Sequence, residues 1–456
     1  MQPHHVAPQN RALRPHDDRR VAFQTLGCRL NQFETDSLAG AFESAGYTVV
    51  PFEEPAEAYI VNTCTVTNKA DRKSRNTINR AMRHKRGVVV VTGCFVESHR
   101  RQLETHPGTF VVDNARKRHV VELVDAHLRG EILHPQSLDV DLFGYPVTAP
   151  IFRTRSMVKI QDGCDNFCTF CIIPFVRGRA RSRDPRSILE HARRALDKGY
   201  REIVITGVNV SRYDHGQTGF SALVEQMLEL EGSYRLRISS MEPDSLDDRF
   251  YDLLNHPRMC PQLHLCLQSG SDSVLQQMRR QYSVAQYRAI LERIRARRPD
   301  FNITTDVLVG FPGESEADFE STCALCNEIG FGHIHTFAYS RRSGTRADRM
   351  SAQIPEVVKQ LRSERIRAIA ADSKRRYRRG FVGRTQQLLV EQIDPRSGLA
   401  RGYGEHYLPL ITDAAGLERN SLVTVVLRDL DDGDDPLLRA TVLKSVSAGG
   451  TQKPVT

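Results

Sequence analysis

Between residues 21 and 130, short apolar or β-branched runs at 21–25, 47–50, 59–62, 88–91 and 110–112 alternate with polar stretches of helical character. Strands separated by helices cannot pair as hairpins, so this alternation predicts a doubly wound α/β domain with a parallel sheet. Residues 131–152 carry Pro135, Pro146 and Pro150 and no helical period, which predicts a connector. Six further strand candidates follow at 157–160, 202–206, 234–239, 262–267, 302–309 and 333–339, with amphipathic stretches such as 186–196 and 287–297 between them. Six βα units are too few to close an eight-stranded barrel. The expectation for 153–380 is therefore a partial (β/α)6 barrel with its chemistry at the carboxyl ends of the strands. From 381 to 446 the pattern changes to five short runs, 386–392, 399–403, 407–411, 422–427 and 438–444, with turns at 395–398, 404–405 and 431–435. These predict a small antiparallel β-barrel, which suits either RNA binding or a packing or dimerisation role. A disordered leader at 1–20 and a tail at 447–456 complete the expected organisation.

A hydrophobic content of 40% in 456 residues can fill real cores. No apolar run reaches twenty residues and no signal-peptide hydrophobic region stands at the start, so the expectation is a soluble cytoplasmic protein with no membrane partner. Ten cysteines in a reducing compartment point to metal clusters rather than disulfides. The formal charge of +9 is concentrated. Residues 359–384 hold ten Lys or Arg against Glu364 and Asp372, and residues 69–86 hold eight against Asp71. Such patches suit a polyanion, most simply nucleic acid; a solvated helix face explains each equally well.

Cys164, Cys168 and Cys171 form a Cys-x3-Cys-x2-Cys run directly after the strand candidate at 157–160. Three thiolates can hold three irons of a 4Fe-4S cluster and leave the fourth iron open for a ligand. A structural zinc loop or three buried thiols are the alternatives. Cys28, Cys64 and Cys94 each stand just past a strand candidate, in Leu26-Gly27-Cys28, Asn62-Thr63-Cys64 and Thr92-Gly93-Cys94. The carboxyl ends of strands form the ligand crevice of an open α/β sheet, so these thiols can meet there as a second cluster site. Taken singly, each is as readily a buried small hydrophobe. Gly310-Phe-Pro-Gly313 lacks the Gly-Lys-Ser/Thr ending of a phosphate-binding loop.

With these motifs the chain resembles the radical SAM methylthiotransferases over nearly its whole length. Weaker likenesses lie in Ile205-Thr-Gly-Val-Asn209, Ser239-Ser-Met-Glu-Pro243, Gln268-Ser-Gly-Ser-Asp272, Asp306-Val-Leu-Val-Gly-Phe-Pro-Gly-Glu314 and Tyr339-Ser-Arg-Arg-Ser-Gly-Thr345. The resemblance implies two 4Fe-4S clusters, one on Cys164, Cys168 and Cys171 and an auxiliary one on Cys28, Cys64 and Cys94. It also implies two S-adenosylmethionine (SAM) molecules per turnover and a carboxy-terminal RNA-binding module of the TRAM type. Phe170 (by its backbone), Gly207, Ser240, Glu242, Gln268, Arg280 and Asp306 are the SAM-pocket candidates, with Arg280 as a planar donor fork for the SAM carboxylate. Glu242 and Asp306 serve equally well as helix caps or ion-pair partners. The stretch Thr25-Leu-Gly-Cys-Arg-Leu-Asn-Gln-Phe-Glu-Thr-Asp36 looks like the branch that modifies C2 of N6-threonylcarbamoyladenosine at position 37 of tRNA. The isopentenyladenosine branch usually has Gly-Cys-Gln-Met-Asn there, and the ribosomal-protein branch Gly-Cys-x-Lys-Asn. Those two substrates are the first alternatives, and a non-enzymatic iron-sulfur RNA-binding protein is the second. Implied partners are the tRNA anticodon stem-loop, an electron donor such as flavodoxin or ferredoxin, and a sulfur source. Arg177, Arg179, Arg181 and Arg183 alternate after the cluster loop and are expected on one side of an extended segment, facing tRNA phosphates. Cys266 stands where the family often has proline, and Cys260 reads as incidental. Cys323 and Cys326 share a helix face and read as packing residues.

Overall fold

The computed structural model describes residues 19–83, 87–105, 109–147, 153–244 and 246–443. The expected tail, all but the last two residues of the leader, residues 84–86 of the first basic run and residues 148–152 of the connector lie outside them.

Strands β1 (Arg20–Thr25), β2 (Thr48–Val50), β3 (Ala58–Thr63), β4 (Val88–Gly93) and β5 (Thr109–Val111) form a wholly parallel sheet in the order β2-β1-β3-β4-β5. Every residue of β3 and β4 is buried, as their unbroken apolar runs require of strands covered on both faces. Helices α1 (Arg29–Ser44) and α4 (Val120–Leu128) pack Leu38, Phe42, Leu123 and Val124 on one face. Helices α2 (Asn68–Arg83) and α3 (Cys94–Leu103) pack Ile78, Ala81 and Phe95 on the other. The doubly wound expectation holds, and the order reverses between β1 and β3. The connector is anchored rather than loose: Tyr145 is buried against Phe33, with ring centroids 5.4 Å apart, and the Asp141 N–H donates to Ala115 O at 3.0 Å.

The central region is a six-stranded partial barrel of β6 (Arg155–Lys159), β7 (Glu202–Thr206), β8 (Arg235–Ile238), β9 (Gln262–His264), β10 (Asn302–Val309) and β11 (His333–Ala338). All neighbours are parallel; β6-β7-β8 and β9-β10-β11 form two ladders joined by the bridges Leu236↔Met259 and Met241↔Leu265. Val158, Ile203, Ile205, Leu236, Ile238, Leu263 and Ile303 face the surrounding helices in one core. Strand alternation turns the intervening residues into the lumen, and most of these are polar: Arg155, Lys159, Glu202, Arg237, His264 and Asp306 among them. Strand β9 stops three residues short of its expected end because a side chain interrupts the ladder. The Thr305 hydroxyl accepts the Leu267 N–H at 2.9 Å and donates to Leu265 O at 2.7 Å.

Strands β12 (Thr385–Asp394), β13 (Leu399–Tyr403), β14 (Pro409–Asp413), β15 (Leu422–Leu430) and β16 (Leu438–Val442) make a closed barrel. Its pairings are antiparallel except β14 with β16. The turn at 404–408, partly read as strand from sequence, instead closes the amino-terminal mouth of the central barrel. Arg235 donates to Gln387 O at 2.7 Å and Tyr403 O at 2.9 Å, Arg237 to Glu405 O at 3.1 Å, and Asn302 to His406 O at 2.6 Å. The long helix Glu356–Arg379 carries most of the second basic run, but much of its charge is matched within the fold. Arg362 pairs with Glu314 at 2.6 Å and Glu316 at 2.9 Å, and Lys374 and Arg378 meet Asp435 at 2.9 and 2.8 Å. Among the described residues no helix is long and apolar enough to cross a membrane.

Candidate active site

Cys28, Cys64 and Cys94 end up at the carboxyl ends of β1, β3 and β4, beside the point where the strand order reverses. Their approach depends on the glycines in front of Cys28 and Cys94. At Gly27 (φ +97°) a Cβ would lie 2.9 Å from Cys64 Sγ, and at Gly93 (φ +98°) it would lie 2.4 Å from Thr63 O. Cys28 is the N-cap of α1 and Cys94 the first residue of α3. Cys28 is exposed and the other two are buried. Burial, together with Cys94 and Cys28 nearby, pushes the Cys64 thiol up to about 11. Burial also raises Cys94, while Arg177 and Lys117 pull against it.

The second triad hangs on the loop after β6. Gly163 (φ +71°) must be glycine, because a Cβ would sit 2.1 Å from Arg179 O. Gln161 staples the loop: its Oε1 accepts the N–H groups of Val208 (3.1 Å) and Asn209 (2.8 Å), and its Nε2 donates to Gly163 O at 2.7 Å. The Cys164 N–H donates to Gly178 O at 3.1 Å and the Cys171 N–H to Cys168 O at 3.0 Å. Burial, then the neighbouring Cys168, pushes the Cys171 thiol up to about 12. Ile172 and Val176 pack directly on Cys94, so the two thiol-bearing regions are in contact.

The remaining candidates gather near this loop in three groups. Arg280 donates from Nη1 to Cys168 Sγ at 3.1 Å and from Nε to Tyr282 OH at 3.1 Å, and it is ion-paired with Glu242. Its expected role as a fork for a ligand carboxylate thus requires sharing or exchanging Glu242. Ser240 Oγ lies 3.6 Å from Cys266 Sγ, and Gln268, at φ +66°, donates its N–H to Asp306 O at 2.8 Å. Asp306 sits 3.2 Å from His264 Nε2; burial opposes its charge, but His264 and His335 hold the carboxyl below its usual range. A Cβ at Gly207 would be 2.9 Å from Gln161 O, and Phe170 packs edge-on to Phe311 beside Val274 and Met278. Cys266 is buried among these groups, whereas Cys260, Cys323 and Cys326 are buried elsewhere in the core.

One expectation is overturned. Arg177 and Arg183 do not face solvent beside Arg179 and Arg181; both are buried. Arg177 meets Glu34 at 3.1 Å, Asp162 at 3.0 Å and Asn31 Oδ1 at 2.7 Å. Arg183 donates to Ser187 Oγ at 3.1 Å. Period-2 spacing put all four on one side of an extended segment, but Arg177 ends the short helix Ile173–Val176 and is covered by α1, so the grouping does not hold. Arg177 belongs to a network that sequence reading missed altogether. Glu34 from α1 is ion-paired with Lys117 and lies 3.2 Å from Lys159, which in turn pairs with Asp162 at 2.6 Å. Burial alone would raise Glu34; Arg177, Lys117 and Lys159 overcome it and hold the carboxyl well below its usual range. The only signal in the sequence was Lys159 inside an otherwise apolar strand.

Residues 20–113 match the Uncharacterized protein family UPF0004, and residues 158–326 match the Radical SAM superfamily. A Thermotoga maritima protein named threonylcarbamoyladenosine tRNA methylthiotransferase MtaB is 37% identical over 399 residues, covering 85% of this chain and 90% of that protein. The chain belongs to the radical SAM methylthiotransferase family. The Bacillus subtilis protein of the same name is 36% identical, covering 86% and 90%. A Syntrophotalea carbinolica relative named tRNA-2-methylthio-N(6)-dimethylallyladenosine synthase is 33% identical, covering 81% and 87%. For this methylthiotransferase, the radical SAM methyltransferase TsrM from Kitasatospora setae shares the fold at 14% identity, with a TM-score of 0.56 over 73% of this chain and 77% of the other.

Proposed function

We propose that this methylthiotransferase modifies C2 of N6-threonylcarbamoyladenosine at position 37 of tRNA. The observation that carries the reading is the contact between two three-thiol sets, Cys94 lying against the residues that follow Cys171. Each set offers three sulfurs and no histidine or carboxylate, which fits iron-sulfur clusters with one open iron each. Burial raises the thiols of Cys64, Cys94 and Cys171, so loading must displace their protons. When bound, the two clusters would supply the electron that cleaves SAM and the sulfur that is transferred.

The protein's own contribution is placement. Cys164, Cys168 and Cys171 would hold the SAM-binding cluster, with Arg280 and Glu242 orienting the ligand beside Cys168; Cys28, Cys64 and Cys94 would hold the auxiliary one. The turn at 404–408 closes the lumen at its amino-terminal mouth, away from the thiol-bearing loop. An electron carrier and a sulfur source belong to the same proposal, as do a cytoplasmic location and RNA binding by the closed carboxy-terminal barrel. The names of the T. maritima and B. subtilis relatives support the threonylcarbamoyl substrate, as does the Cys28-Arg29-Leu30-Asn31 sequence. Nucleosides from tRNA of a deletion strain test it. Mass spectrometry should show loss of the methylthiolated threonylcarbamoyl nucleoside alone. Loss of the methylthiolated dimethylallyl nucleoside instead would reassign the substrate.

Helix α2 is the better candidate for phosphate binding than the long basic helix, because Lys69, Arg72 and Lys73 are exposed on it beside Cys64 and carry no ion pair among the described residues. Reversing the charge at all three should weaken tRNA binding and flatten the log Kd against log salt plot by about 0.7–0.9 for each phosphate no longer neutralised. An unchanged slope would remove α2 from the interface.

A further inference from the structure

The central barrel is open along one side, between its edge strands β6 and β11. Arg155 of β6 and His335 of β11 stand on the strands that flank that seam, and Tyr407, from the turn that closes the barrel, lies against Arg237 of β8. The Tyr407 ring has three guanidinium groups around it, with Cζ to centroid distances of 5.4 Å for Arg29, 5.3 Å for Arg155 and 4.9 Å for Arg237. Two of these cations are neutralised within the fold: Arg155 pairs with Glu391 at 2.8 Å and Arg237 with Glu202 at 2.7 Å. Arg29 has no carboxylate partner among the described residues. Its one polar contact there is neutral, an N–H from Nη2 to Tyr407 OH at 3.3 Å. The side chain is half-buried and follows Cys28 directly, while His335 and Phe337 across the lumen are exposed. An unneutralised, partly desolvated guanidinium beside the thiol triad calls for an anion that is not part of the chain.

We infer that Arg29 is a specificity-determining residue that binds the carboxylate of the threonyl group on the substrate base. The inference rests on the threonylcarbamoyl reading above. That substituent ends in a carboxylate, ionised at neutral pH, whereas a dimethylallyl group is hydrocarbon and offers a guanidinium nothing. A planar two-N–H fork matches a carboxylate, and the Tyr407 hydroxyl holds the fork at the seam until substrate arrives. Since Arg29 adjoins Cys28, fixing the far end of the substituent also fixes the adenine relative to the auxiliary thiols.

The test uses full-length reconstituted protein and two anticodon stem-loops, identical except that one bears threonylcarbamoyladenosine at position 37 and the other adenosine. Wild type should prefer the modified loop. Arg29→Gln should cut that preference about tenfold or more, the scale of one charge-assisted hydrogen-bonded contact, while leaving affinity for the unmodified loop unchanged. Arg29→Lys should restore part of it. Because the readout is a ratio within each variant, a general loss of folded protein cancels. An Arg29→Gln protein with the wild-type ratio, where wild type does methylthiolate the threonylcarbamoyl loop, overturns the inference and leaves the proposed function standing. A wild type that leaves the threonylcarbamoyladenosine loop unmodified and methylthiolates a third loop, bearing dimethylallyladenosine at position 37, overturns both.

Discussion

Replacing Glu34 with alanine is expected to destabilise the protein by about 3–5 kcal/mol, the range for removing one partner of a buried ion pair. The carboxylate is fully buried and is shared by Lys117, Lys159 and Arg177, so its loss leaves Asp162 to pair with Lys159 and Arg177 and leaves Lys117 without a carboxylate among the described residues. The chain segments that meet here come from α1, from the loop before α4, from β6 and from the loop after Cys171. The network therefore joins the parallel-sheet domain to the barrel. The measurement is the urea midpoint, with Glu34→Gln as the control that keeps shape and loses charge. Midpoints for both variants within error of wild type would show that the network is not a structural centre. The sign of its pH dependence follows from the depressed carboxyl. The stabilisation is fully present above the usual glutamate range and is lost as pH falls through the lower folded-state value.

The second large effect separates the triads. Cys168→Ala should abolish SAM cleavage and methylthiolation together. Cys94→Ala should abolish methylthiolation while reductive SAM cleavage persists, because the loop carrying Cys164, Cys168 and Cys171 is intact. Iron per chain should fall from about eight to about four in either variant. Product 5′-deoxyadenosine and methylthiolated nucleoside, counted in the same reaction, make the comparison. A Cys94→Ala enzyme that still methylthiolates would show that the auxiliary triad is not where sulfur is handled, and a Cys168→Ala enzyme that still cleaves SAM would displace the other assignment.

Much of the architecture was legible because it is written in local terms. The unbroken apolar runs of β3 and β4 mark strands buried on both sides, and the six strand candidates separated by amphipathic stretches announce the partial barrel of β6 to β11. The glycine before Cys28 and before Cys94 marks a close approach that no other residue permits. What stayed hidden is non-local. Arg177 looks like its exposed neighbour Arg179 until α1 brings Glu34 over it. The basic run at 359–384 looks like a nucleic-acid face until Glu314, Glu316 and Asp435, distant in sequence, are laid against it. Tyr407 reads as a strand residue, yet its φ of +60° places it in a turn that enters another domain's lumen. A charge or an aromatic ring in one sequence window carries no mark of the partner that will cover it.

The turn at 404–408 has a consequence for how this enzyme can be rebuilt. A module that only held RNA could be exchanged between relatives like a cartridge, with substrate preference moving along with it. Here the carboxy-terminal barrel satisfies Arg235, Arg237 and Asn302 through its own carbonyl groups and sets Tyr407 against Arg29, one residue from the auxiliary thiols. A chimaera that swaps the barrel without matching those donors leaves buried guanidinium groups unsatisfied inside the catalytic barrel. The carboxy-terminal barrel and the catalytic barrel therefore have to be exchanged together.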